Sequence, residues 1–226
     1  MHINNFLELL DNGIIPDGPP SDFSSAIPMI APSSFAGSAI AREWVTNRGM
    51  WAMVTTPFAR ALAEWLHGTQ VLEIMAGRGW LAKALSQERI RVIATDNNSW
   101  DKRHSKSEPV FDVLPYEASD AIREFGNVCN VLLVSWPPYD ALDIVEAIKL
   151  WGTGRPIVYI GEGEGGCNAP TKFWQHWQDR KKRIHLWQWP GIYDRVRMGR
   201  YVEKPHHVCK NCGGWAENGR LCWSCE

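Results

Sequence analysis

Two clusters of residues in this chain have the types and spacing that chemistry needs. The first is Val71-Leu72-Glu73-Ile74-Met75-Ala76-Gly77-Arg78-Gly79-Trp80-Leu81. The apolar run reads as a strand, and Gly-x-Gly then lets the backbone approach a ligand because glycine has no Cβ. Asp96 follows, at the tip of the next expected strand, where a carboxylate can accept hydrogen bonds from both hydroxyls of an adenosine ribose. A dinucleotide fingerprint would place a third glycine where this chain has Ala82, and Glu73 would repel a pyrophosphate. The same acid suits a cation. The pattern therefore favours S-adenosylmethionine, with its cationic methionine portion, over a nicotinamide cofactor.

The second cluster is C-terminal. Cys209-x2-Cys212 and Cys222-x2-Cys225 are paired knuckles, and Gly213 and Gly214 ease the turn after the first. Four thiolates in this pattern match tetrahedral Zn2+, whose bonds to sulfur are about 2.3 Å long. With all four positions filled by Cys209, Cys212, Cys222 and Cys225, such a zinc is structural. Its purpose stays open between binding nucleic acid, binding protein and stapling the chain end. Of the two remaining cysteines, Cys129 is expected in the core and Cys167 in an exposed loop.

The elements that must position these residues alternate. Strands are expected at Val71–Met75, Arg91–Thr95, Asn130–Ser135 and Pro156–Ile160. Helices are expected at Trp80–Gln87, Tyr116–Phe125 and Ala141–Trp151. That rhythm predicts an α/β fold, a mostly parallel sheet with helices on both faces. Before it come a proline-rich leader with a short helix over Asn5–Leu10, a helix over residues 39–50, and one over Pro57–His67 stopped by Gly68. After it, a helix is expected over Thr171–Lys182, then a hairpin of Ile184–Trp189 and Asp194–Val202 turning at Pro190-Gly191. The organisation reads as a leader (1–38), an α/β domain (39–204) and a zinc-binding module (205–226).

On these residues the stretch Val71–Asp140 resembles the class I S-adenosylmethionine-dependent methyltransferase family. Glu73, Gly77 and Gly79 resemble its first motif, Asp96 its ribose-binding acid, and Ser135-Trp136-Pro137-Pro138-Tyr139 its fourth. The resemblance implies a Rossmann-like, seven-stranded sheet whose last strand is antiparallel. It implies cofactor contacts from Glu73, Ala76, Gly77, Gly79, Asp96 and Trp136. In members that methylate amino groups, a polar side chain and a proline carbonyl accept hydrogen bonds from the target nitrogen, and the aromatic stacks on the base. Here Pro137, Pro138 and Tyr139 are kept. Trp136 stands where the polar acceptor belongs, and Ser135 lies one residue early. Met75 stands where the family has its earliest glycine.

The loop Gly161-Glu162-Gly163-Glu164-Gly165-Gly166 brings two acids to the sheet edge where ligands bind in open α/β folds. Glu162 or Glu164 is a candidate acceptor or general base, against the alternative of a flexible polar loop. Net charge places further limits. The chain carries −1 overall, but Thr171–Lys210 holds ten Lys/Arg against three Asp/Glu, interleaved with tryptophans. Such a segment fits a nucleic-acid partner, or equally a solvated basic face. Trp174 and Trp177 are candidates for base stacking or for packing a helix on the sheet. No apolar run is long enough to span a bilayer and no signal peptide is seen, so a cytoplasmic protein is expected.

Overall fold

Strands β1 (Gln70–Ile74), β4 (Val131–Ser135) and β5 (Pro156–Gly161) are buried along almost their whole length. Their side chains alternate between two packed faces, which is why they read as continuous apolar runs rather than as alternating ones. The computed structural model describes residues 1–23, 35–99, 108–180 and 184–203. The other elements are α1 (Ile3–Asp11), α2 (Phe35–Thr46), α3 (Thr56–Leu66), α4 (Trp80–Gln87), β2 (Arg91–Asp96), β3 (Val113–Pro115), α5 (Ala118–Phe125), α6 (Asp143–Trp151), α7 (Thr171–Gln175), β6 (Trp177–Arg180) and β7 (Arg195–Tyr201).

The seven strands form one sheet in the order β3-β2-β1-β4-β5-β7-β6. The first five are parallel to their neighbours, and β7 runs antiparallel between β5 and β6. This is the seven-stranded α/β sheet with an antiparallel last strand that the resemblance implies. On one face Val71, Leu133, Val158 and Ile160 pack with residues of α1 to α4. On the other, Leu72, Ile74, Leu132, Val134 and Tyr159 pack with α5, α6 and α7. The N-terminal helix shares the first core: Ile3, Phe6 and Leu10 are buried, each stabilising the fold by on the order of 2 kcal/mol.

The chain order reverses between β1 and β4, whose neighbours across the sheet are β2 and β5. A parallel sheet leaves a crevice at the carboxyl ends of the strands there. The glycine turn after β1 faces that crevice.

Two expectations are corrected. The helix expected over Thr171–Lys182 stops at Gln175, and Trp177–Arg180 is strand β6. Pairing with β7 overrides the helical spacing. The Trp177 ring lies over Gly199, where no Cβ would fit. His176 closes the turn by donating its N–H to the Phe173 carbonyl, and Val202 N–H donates to the His176 carbonyl. The hairpin therefore exists, but its first strand is β6. Residues 184–189, expected as that strand, are irregular. The three-residue β3 was not foreseen.

Cys209, Cys212, Cys222 and Cys225 lie outside the described residues. Among the described residues no group of three or more His, Cys, Asp and Glu could hold a metal ion, and no helix is long and apolar enough to cross a membrane.

Candidate active site

A cavity of about 880 Å3 opens at the carboxyl ends of β1, β2 and β4. Of the residues singled out in the sequence, Glu73, Ala76, Gly77, Asp96, Ser135 and Trp136 line it together. Gly79, Pro137, Tyr139 and Glu162 do not form its wall.

The floor is the glycine turn. Gly77 (φ +57°) and Gly79 (φ +80°) are both left-handed, a conformation that glycine adopts without strain. Their surroundings differ. A Cβ at Gly77 would meet nothing within 4 Å, whereas at Gly79 it would come within 2.8 Å of the Phe111 Cβ and 2.9 Å of the Val113 Cγ2. Gly79 is thus needed for packing, as the N-cap of α4, while Gly77 leaves open space toward the cavity.

Asp96 ties this turn to β2. Its Oδ2 accepts the Gly77 N–H at 2.7 Å and its Oδ1 accepts the Asn98 N–H at 2.7 Å. Glu73 is the opposite case. It is completely buried, and neither carboxylate oxygen has a hydrogen-bond partner. Burial, reinforced by the neighbouring Asp96 charge, raises its pKa to about 8, and the Ala82 backbone N–H, nearby but outside hydrogen-bonding geometry, opposes this only in part. A buried carboxyl group without a partner, on a cavity wall, is a receptor for a cation or a strong donor.

The tips of β1 and β4 carry Met75 (φ +55°) and Trp136 (φ +52°), both left-handed and both lining the cavity. Each holds strain of roughly 1 kcal/mol. At Met75 the backbone has the shape of the glycine that the resemblance calls for, although the side chain is methionine.

The Trp136 ring is held in layers. Trp51 stacks on it, with ring centroids 5.8 Å apart and an interplanar angle of 27°. The Arg42 guanidinium lies 4.9 Å from its centroid. Both come from the segment between α1 and α3, which supplies Arg42, Gly49, Met50, Trp51, Ala52 and Val54 to the wall. That segment is anchored to the glycine turn: the Arg48 carbonyl accepts from Arg78 Nη1 at 3.0 Å and from Trp80 Nε1 at 2.8 Å. Pro137 and Tyr139 follow in the chain. The Pro137 carbonyl accepts the Ala169 N–H at 3.2 Å, and Tyr139 projects outward, 59% exposed.

Glu162 is a loop anchor in this fold. Its Oε2 accepts the Cys167 N–H at 2.9 Å, and its Oε1 accepts the Tyr193 N–H at 3.0 Å. Burial alone would raise its pKa, but these two donors and the Arg42 charge lower it. Glu164 is exposed at the surface.

Asp194 was missed in the sequence. It is buried beside Trp136, Arg42 and Glu162, and its Oδ1 has no hydrogen-bond partner. Burial raises its pKa to about 7; the Trp136 indole N–H and Arg42 oppose the rise, and Glu162 adds to it. No local signal marks it, because Asp194, Arg42 and Trp51 meet Trp136 only through the tertiary fold.

No protein-family model matches the chain, and no curated protein matches it. Solved structures with a partly similar backbone include S-adenosylmethionine-dependent methyltransferases. One, from Archaeoglobus fulgidus, is 18% identical over 46% of this chain and 50% of that one, with a TM-score of 0.35. The match thus spans half the length of that relative. A 16S rRNA (adenine(1408)-N(1))-methyltransferase from Catenulisporales acidiphilia, solved with its cosubstrate, is 10% identical over 66% of this chain and 92% of that one, with a TM-score of 0.39. A 1,6-didemethyltoxoflavin-N1-methyltransferase from Burkholderia thailandensis, with S-adenosylhomocysteine bound, is 15% identical over 78% of this chain and 93% of that one, with a TM-score of 0.43.

Proposed function

We infer that the chain is an S-adenosylmethionine-dependent methyltransferase acting on an amino group of a nucleic acid. The observation that carries this reading is the unpartnered, fully buried Glu73 carboxyl group, set beside the open space in front of Gly77. A cationic, diol-bearing ligand fits both ends of that floor. Glu73 would meet the cationic methionine portion, Gly77 and Ala76 would let the adenosine approach the backbone, and Asp96 would accept the ribose hydroxyls. When bound, this cofactor supplies an electrophilic methyl group. Ser135 and Trp136 would wall the far side, with Pro137 and the outward Tyr139 receiving the target.

Trp136 favours a second reading. An indole fills the place of the polar acceptor, and Glu162, a candidate substitute from the sequence, is engaged by two backbone amides and does not line the cavity. A catalytically inactive methyltransferase-like domain that serves as a nucleic-acid- or protein-binding module would look like this. In either case the four C-terminal cysteines, whose donor set suits tetrahedral zinc, form a structural module.

The test is calorimetric titration with S-adenosylmethionine. Micromolar binding is expected, weakened at least tenfold in Asp96→Ala (about 1.4 kcal/mol). Absence of binding by the folded wild-type protein would sink the methyltransferase reading. Metal analysis of the same sample should find zinc, lost in Cys222→Ser; a metal-free wild type would remove the zinc module.

A further inference from the structure

A second concavity, of about 620 Å3, lies over β6 and β7 and is lined among others by Glu164, Trp174, Asp179, Tyr193, Arg195 and Arg197. We propose that this groove binds single-stranded nucleic acid, with Arg195 on a phosphate and Tyr193 against a base, and feeds the strand toward the cavity. The inference rests on the nucleic-acid substrate proposed above and assigns the surface that would hold it.

Position comes first. Arg195 opposes Gly161 at the carboxyl end of β5, so the groove begins at the sheet edge where the cavity opens. Ile192 lines the cavity and Tyr193, the next residue, lines the groove. The Tyr193 N–H is fixed to Glu162 Oε1, so a strand leaving one site for the other crosses a defined point.

Chemistry comes second. Tyr193 is 66% exposed, an aromatic face left to solvent at the lip of a groove. Arg195 is exposed and makes no ion pair among the described residues. Arg197 is oriented in advance: its Nη1 contacts Asp179 Oδ2 at 2.8 Å and its guanidinium lies 5.6 Å from the Trp174 ring centroid. Its Nε has no hydrogen-bond partner, and neither has the indole N–H of the buried Trp174. The buried Arg197 Nε is closed to a ligand, so the exposed Arg195 guanidinium beside an exposed aromatic ring is what meets a phosphate and an unstacked base. Glu164 and Asp179 lie among the arginines. The lining is therefore balanced in charge, and Arg195, which pairs with no acid among the described residues, is the cation left for a phosphate. The bodies of Trp174 and Trp177 are core, packed with Phe173 and Tyr159, so the stacking role falls to Tyr193 rather than to them.

The full-length protein would be titrated into fluorescein-labelled single-stranded DNA and RNA of about 20 nucleotides, with anisotropy read between about 50 and 200 mM salt. Binding that weakens with salt is expected. It should weaken at least tenfold in Arg195→Glu and several-fold in Tyr193→Ala, and be unchanged in Arg60→Glu on α3. S-adenosylmethionine binding, measured on the same variants, should not move. Equal binding by wild type and both groove variants overturns the assignment, as does tighter binding of polyglutamate or of a duplex. Failure to bind oligonucleotide by protein that still binds cofactor overturns the groove and leaves the methyltransferase reading. The reverse result overturns that reading and keeps the groove.

Discussion

The two ends of the cavity are built on different principles. At the β1–β2 end Glu73 lacks partners and Gly77 faces open space. At the β4–β5 end an aromatic ring and one acid are tied into the fold. Trp136 stacks on Trp51 and has the Arg42 guanidinium 4.9 Å from its centroid, and Glu162 is bound to two backbone amides. An end that keeps a buried acid without a partner retains potential to bind. The β4–β5 end is mixed: Asp194 Oδ1, the Trp136 indole N–H and Arg42 Nε are also buried without hydrogen-bond partners, so only part of its polar potential is spent on stability.

The largest expected consequence concerns Glu73. Its ordinary pKa of 4.5 is raised to about 8 by burial and by Asp96. Between those values the unfolded chain has lost the proton that the folded one keeps. Stability should therefore fall as pH rises through that window, by on the order of several kcal/mol in total. Glu73→Gln should flatten the slope of melting temperature against pH in the ligand-free protein. An unchanged slope would show that the carboxyl group is solvated, and the contrast between the two ends would collapse.

The opposite end should respond through packing. Trp136→Ser removes the ring that contacts Trp51 and Arg42 and should cost about 3 kcal/mol in denaturant unfolding. A loss below about 1 kcal/mol would mean that the layers do not hold that end shut. The glycines sharpen the comparison further. Gly79→Ala would press on Phe111 and Val113 and should cost about 2 kcal/mol. Gly77→Ala should cost only the roughly 1 kcal/mol of a left-handed alanine while blocking the cofactor. Equal melting points for the two variants would remove the distinction between a packing glycine and a cradle glycine. The smallest effect is expected from Glu162→Gln, about 1 kcal/mol of stability through weakened bonds to Cys167 and Tyr193. A melting point equal to wild type would argue against the anchor role.

What could be read in the sequence follows the same division. Helix α4 begins at Trp80 and ends at Gln87 as expected, because the glycine turn and the apolar spacing are local signals. Glu73, Gly77 and Asp96 meet because adjacent parallel strands bring their carboxyl ends together whatever the rest of the chain does. Asp194 and Arg42 reach Trp136 only through β7 and α2, and no spacing rule encodes that meeting. The missed β6 is the same lesson in a single element. Phe173, Trp174 and Trp177 have helical spacing, yet the aromatic cluster around Tyr159 accepts Trp177 equally well from a strand, and long-range pairing decided the matter.

The Arg48 carbonyl has a consequence beyond anchoring. It receives both Arg78 and Trp80, so the covering segment and the turn beneath it share one attachment point. They cannot rise and fall separately. The push of a ligand on the turn is therefore passed through one carbonyl to the segment that carries Trp51.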